Sequence, residues 1–171
     1  MCSQDDSRFG LLTIRRRRLT ACGVQPVGAV QHVFAWFYVD GAVEPTTGER
    51  FFLERPYLHA DRFQLFLDPF AQAFADSLNI LLLDNRGAQT AQRLALPDNV
   101  HLVCLPPYGP ELSPIARVWR DVKDGLAWLH FADLETPQDD IATLLRGYEA
   151  ATRQALTGYP DLVEAIHALC P

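Results

Sequence analysis

Cysteine is scarce and unclustered in this chain: Cys2, Cys22, Cys104 and Cys170 form no C-x-x-C pair. Neither a disulfide framework nor a structural zinc site is therefore expected, and the thiols read as buried or incidental. Long apolar runs are missing as well. No stretch approaches the ~20 residues that span a bilayer, and the polar, acidic start Met1-Cys2-Ser3-Gln4-Asp5-Asp6 lacks the basic-then-apolar opening of a signal peptide. A soluble, cytoplasmic chain with no membrane partner is expected. There is no glycine-rich phosphate loop, no Ser-His-Asp or Cys-His pattern in a motif context, and the five histidines have no ligand spacing. Repeats, linkers and low-complexity tracts are absent too, so the 171 residues read as one domain.

Positive charge is in short supply. The net charge of −6 runs against phosphate binding, which depends on clustered Lys and Arg. The average conceals an asymmetry, however. Residues 1–62 carry eight basic and seven acidic side chains, while 133–171 carry two basic and seven acidic, so the acidity gathers at the C-terminal end. The dense positive patch is Arg15-Arg16-Arg17-Arg18, with Arg8 upstream and no acid between Arg8 and Arg18. It is either a solvated loop or a phosphate contact.

What is abundant is apolar side chain: 49% hydrophobic against 21% charged, enough for a real core. The run Val33 to Val39, then Asp40-Gly41 as a turn, then Phe51-Phe52-Leu53, predicts two antiparallel strands. Segment 60–76 places Phe63, Phe66, Leu67, Phe70 and Phe74 at helical spacing around Pro69, which predicts a bent helix. Ile80-Leu81-Leu82-Leu83 is a buried strand ending at Asp84, a short helix is expected over 88–95, and Val100 to Leu105 is another strand. Pro114 fits the first turn of a helix capped by Ser113 and running to about Leu129. A further helix starts with Thr136 as cap and Pro137 at its first position and runs until Gly158, before a last one over about 161–169. The pattern is α/β with a mixed central sheet flanked by helices, and the C-terminal part, about 114–171, is helical.

An acid at the end of a buried strand lies where open α/β sheets present ligand sites, although capping of the following turn would also explain Asp84. Its neighbourhood is more specific. Leu81-Leu82-Leu83-Asp84-Asn85, the loop Pro106-Pro107-Tyr108-Gly109-Pro110-Glu111-Leu112-Ser113-Pro114-Ile115-Ala116, then Trp119 and Lys123, resemble the core signature of DDE transposases. The branch resembled is the bacterial insertion-sequence branch of the mariner superfamily. Upstream, Gln4-Asp5-Asp6-Ser7-Arg8-Phe9-Gly10 looks like that family's first acidic motif, and the resemblance extends over essentially the whole chain.

The resemblance implies a ribonuclease H-like fold whose carboxylates hold divalent metal, Mg²⁺ or Mn²⁺, for cleavage and transfer of DNA strands. Asp5 and Asp84 match two of the three acid positions; the third is Ala116, whose methyl group cannot bind a metal. On a helix from Pro114, the positions sharing a face with 116 are Trp119 and Arg120, neither an acid, while Asp121 points away and Glu111 precedes the helix. An impaired copy is expected. Gln89 stands where the family often has histidine, Ser113 replaces asparagine, and with only four residues before it the strand carrying Asp5 should be short. The upstream helix-turn-helix region of full-length relatives is not in the sequence, so a partial copy is expected. Implied partners are DNA, as transposon ends and target, and a second copy or an intact transposase. Arg15 to Arg18, Arg120 and Lys123 are the candidate DNA contacts, or else solvated faces. Asn85, Pro106, Pro107, Tyr108, Pro110 and Pro114 form the motif loop. Trp36, Trp119 and Trp128 read as core aromatics or as stacking residues.

Overall fold

The computed structural model describes residues 1–55, 62–84, 94–105 and 113–169. Most of the helix expected over 88–95 lies outside them, as do Gln89, Glu111 and, of the motif loop, Asn85, Pro106, Pro107, Tyr108 and Pro110.

A mixed five-stranded sheet organises the described residues. Its strands are β1 (Cys2–Gly10), β2 (Trp36–Val43), β3 (Arg50–Arg55), β4 (Asn79–Leu83) and β5 (Val100–Cys104), in the order β3-β2-β1-β4-β5. The first three form an antiparallel meander, and β4 and β5 run parallel to β1. Helix α1 (Arg62–Ala73) covers one face. The other carries α2 (Ile115–Gly125), α3 (Glu135–Gly147) and α4 (Ala150–Thr157), with α5 (Pro160–Leu169) at the end of the chain.

Strand alternation sorts the cores. On one face, Ala42, Leu81 and Leu83 pack with Phe63, Phe66, Leu67 and Phe70 of α1. Phe66 and Phe70 are fully buried with rings 5.7 Å apart, and Phe51 of β3 meets both edge-on. On the other face, Phe9, Phe37, Val39 and Val43 pack with Ile115, Val118, Trp119 and Val122 of α2. Helix α1 runs unbroken through Pro69. The carbonyl deprived of a donor there is that of Leu65, on the exposed side, where water can serve it.

Several expectations are corrected. β1 is not short: it spans nine residues and pairs with β2 from Ser3 to Gly10, which carries Asp5 well into the sheet. Asp40-Gly41 is not a turn but lies inside β2. Gly41 is opposite Asp5, and a Cβ there would come within 2.9 Å of Ile115 Cδ1 and 2.7 Å of the Phe52 ring. Glycine lets α2 approach the sheet. The turn falls instead at 44–49, closed by the Gly48 and Glu49 backbones on Glu44.

Helix α2 ends at Gly125 rather than about Leu129, and Ser113 gives no side-chain cap; the first turn closes through the Ala116 and Arg117 amides on the Ser113 and Pro114 carbonyls. α3 is capped by the Asp133 carboxylate, which accepts from the Thr136 amide at 2.9 Å and its hydroxyl at 2.8 Å, so Thr136 and Pro137 lie inside the helix. The single helix expected up to Gly158 breaks at Tyr148-Glu149 into α3 and α4. Arg50 donates to the Leu145, Arg146 and Tyr148 carbonyls, and Arg153 to those of Tyr148 and Gly48, so two guanidiniums satisfy the carbonyls the break leaves open.

Gly48 has φ +73° and leaves no room for a side chain, because a Cβ would lie 2.5 Å from the Ala150 carbonyl oxygen. Gly48→Ala is expected to destabilise the fold by about 1–3 kcal/mol, read as a lower urea midpoint at unchanged slope.

Candidate active site

The parallel register of β1 and β4 pairs Cys2 with Leu81 and Ser3 with Leu82. Two residues further along come Asp5, inside β1, and Asp84, one residue past the end of β4; continued that far, this register puts them level. Alternation assigns both to the α2 face, since Phe9 and Leu82 share their parity while Cys2, Leu81 and Leu83 pack toward α1. The two acids that the sequence placed about eighty residues apart are thus brought together.

The electrostatics agree. Burial pushes the Asp5 carboxyl up to about 7, with the charges of Asp6 and Asp84 adding to the rise. Two influences oppose it, the 2.8 Å hydrogen bond from the Asp6 amide and the nearby Lys123 ammonium. Lys123 is itself pushed below the usual lysine range by burial, an effect that Asp5 counters and Arg16 and Arg8 reinforce. Its ammonium stands 5.3 Å over the Phe9 ring.

Helix α2 lies across this face. The Ile115 amide meets Ser3 Oγ at 3.5 Å, and further along Trp119 meets Phe9 edge-on at 6.1 Å, so Asp5 lies between these two contacts. Ala116 is half-buried in the first turn of α2, the helix that crosses this face. Among the described residues no group of three or more His, Cys, Asp or Glu is placed to hold a metal ion. Two level carboxylates offer the oxygen donors a hard divalent cation takes. Such a pair fits part of a carboxylate metal centre. Asp121 accepts from the Tyr148 hydroxyl at 2.5 Å, a bond to the helical layer.

The structure divides the basic candidates. Arg15 to Arg18 are exposed on the arm that joins β1 to β2. Arg16 is ion-paired to Asp124 and Arg18 lies 4.6 Å over the Trp128 ring, while Trp128 donates from its indole to the Arg16 carbonyl and from its backbone to Ile14. These bonds hold Trp128 at φ +66° just past α2. Arg120 is exposed on α2, and Pro114 is buried at its start. Of the tryptophans, Trp119 is core at 4% exposure, whereas Trp36 and Trp128 are half-buried under Arg8 and Arg18. Sequence reasoning missed the grouping of Arg8 with Trp36. Its only linear trace is that Arg8 and Trp36 flank the arm.

A mixed five-stranded sheet in this order, with helices on both faces, is the layout of a ribonuclease H-like fold, and structural similarity bears this out. A Mos1 transposase paired-end complex with left transposon end superposes at TM-score 0.67 over 92% of this chain, at 14% identity. The Mos1 strand-transfer complex and the mariner Mos1 paired-end complex with Mg superpose at 0.63, at 13% and 14% identity and with the same coverage. The chain spans about half the length of these solved chains, 51% of the first. Residues 1–136 match the model of the DDE superfamily endonucleases, and the chain belongs to that family. An uncharacterized protein of Sinorhizobium fredii, y4pE/y4sA, is 36% identical over 112 residues, 63% of this chain and 78% of that protein. Among the described residues no helix is long and apolar enough to cross a membrane.

Proposed function

We propose that this chain is a single catalytic-type domain of a DNA transposase in which binding of DNA outlasts cleavage. What supports this reading is the meeting of Asp5 in β1 with Asp84 just past the end of the adjoining β4; Ala116, in the first turn of α2, is on this reading the position a third carboxylate would hold. On this reading Asp5 and Asp84 are the residues that would hold Mg²⁺ or Mn²⁺. Such an ion, when bound, supplies charge to a phosphodiester and acidity to an attacking water or hydroxyl. With two carboxylates instead of three, its affinity is weakened.

The chain's own contribution is positioning. Lys123 brings a partly buried positive charge beside Asp5, suited to a phosphate arriving there. Arg120 and the arginines of the arm extend that field along one side, against an overall charge of −6. The Mos1 complexes hold transposon-end DNA, and a duplex end is the substrate proposed here, with a second copy or an intact transposase as partner.

Two measurements test this. In a filter-binding titration, DNA binding should weaken as salt rises from about 50 to 200 mM, roughly a hundredfold for four phosphate contacts. Absence of binding at low salt would remove the DNA reading. In a nicking assay on supercoiled plasmid with Mg²⁺ or Mn²⁺, the chain as it stands is expected to be weak or inactive, and robust activity would overturn the impairment. The alternative, a binding module with no strand chemistry at all, is favoured by the same Ala116. It is distinguished by inactivity that persists in Ala116→Glu.

A further inference from the structure

At the Phe9–Gly10 end of β1 a depression of about 270 Å³ opens between β1, the start of β2 and the base of the arm. Its wall includes Phe9 and Gly10, and its polar lining is Arg8, Thr13, Arg15, Arg16 and Lys123, with Trp36 at one side and no acid among the lining residues. We propose that this depression takes one unpaired nucleotide of a DNA strand, its base stacked on the Trp36-Arg8 pair and its phosphate held by Arg15 and Lys123. The proposal rests on the DNA reading above and adds what form of DNA the site prefers.

Size argues first. The volume lies just under the ~300–1,000 Å³ of pockets that enclose a drug-sized molecule, so it suits one nucleotide and cannot admit a duplex. The stacking surface is also already assembled. The Arg8 guanidinium lies 4.6 Å over the Trp36 ring, and Phe34 meets the indole edge-on at 5.9 Å, which fixes its plane. Bases stack on aromatic faces and on guanidinium planes alike, and this interaction serves unpaired bases because paired ones keep their faces inside the duplex.

Charge argues third. Arg16 is occupied by Asp124, but among the described residues neither Arg8 nor Arg15 is bonded to a carboxylate. Both are exposed and suited to meet phosphate. Finally, Lys123 both lines the depression and stands within the electrostatic reach of Asp5, so one side chain links the nucleotide position to the carboxylate pair.

Fluorescence anisotropy of the full chain in EDTA tests this without any strand chemistry, using a blunt duplex and the same duplex with a short overhang of either polarity. The overhang duplex is expected to bind about tenfold more tightly. Trp36→Ala and Arg8→Ala should bring the ratio close to one, whereas Trp36→Phe should keep most of it. Arg17→Ala, outside the depression, should weaken both probes alike. Arg8 is exposed, so Arg8→Ala decides the matter should Trp36→Ala fail to fold. Equal affinity for the two probes, or a ratio untouched by Arg8→Ala, overturns this inference and leaves the DNA reading standing. Binding of neither probe at low salt overturns both.

Discussion

Replacing Ala116 by glutamate is expected to raise the affinity of the chain for Mn²⁺ and Mg²⁺ by at least 10–100-fold. Loss of even an outer-shell partner of a metal ligand costs roughly that much, and a ligand carboxylate contributes more. The geometry favours a glutamate at this position. Ala116 is in the first turn of α2, one residue beyond the Ile115 amide that meets Ser3, and Asp5 lies between that contact and the Phe9-Trp119 contact. A first-turn carboxylate also complements the helix dipole by about 0.3–1 kcal/mol, at a helix start with no acid of its own.

Without metal the same change should be neutral or unfavourable, because it adds a third negative group beside an Asp5 that Asp84 already disfavours as an anion. The gain should therefore appear as metal-dependent stabilisation in a thermal melt and as a binding isotherm by calorimetry. Ala116→Gln, of the same size but uncharged, should show neither. Combining Ala116→Glu with Asp84→Asn should abolish the gain. Calorimetry that finds no difference between the parent chain and Ala116→Glu would refute the placement of the site. Renewed plasmid nicking in Ala116→Glu would separate an impaired nuclease from a pure binding module.

Much of this site could be read in the linear sequence, because its parts are local. A run of leucines ending at Asp84 marks a buried strand, and Pro114 marks the start of the helix that carries position 116. Features that depend on contacts between distant segments were not legible. Asp40-Gly41 has the composition of a turn, and only the approach of Ile115 explains why glycine belongs in the middle of a strand. The strand carrying Asp5 was expected to be short because only four residues precede that acid, yet β1 runs on past it to Gly10 through the buried polar residues Ser3, Gln4 and Ser7. All three pair with β2, and Ser3 also pairs with β4 on the other side. The break at Tyr148-Glu149 depends on Arg50, almost a hundred residues earlier. The four arginines of the arm look equivalent in sequence, yet Asp124 and Trp128 at the far end of α2 engage two of them.

Asp5→Asn is expected to stabilise the metal-free chain at neutral and alkaline pH while doing little near pH 4. In the folded chain the Asp5 carboxyl is raised from its ordinary 3.8 to about 7, chiefly by burial. The folded state then holds a proton that the unfolded state has already released, across the whole interval from about 4 to 7. Stability rises with pH only where the unfolded state binds more protons, so here the sign is reversed. The contribution is fully present below about pH 4 and is lost as pH climbs through about 7. A shift of this size corresponds to at most about 4 kcal/mol, and solvent contact at the half-buried site reduces it to about 2–3 kcal/mol. Asparagine keeps an oxygen for the Asp6 amide and never carries the charge, so the variant should lack this part of the pH dependence. Denaturant midpoints in EDTA at pH 4 and pH 8 measure it: the gap between Asp5→Asn and the parent should open by about 2 kcal/mol between them. A gap of equal size at both pH values would mean that Asp5 is not held among negative and desolvating neighbours, and the pairing with Asp84 would fall with it.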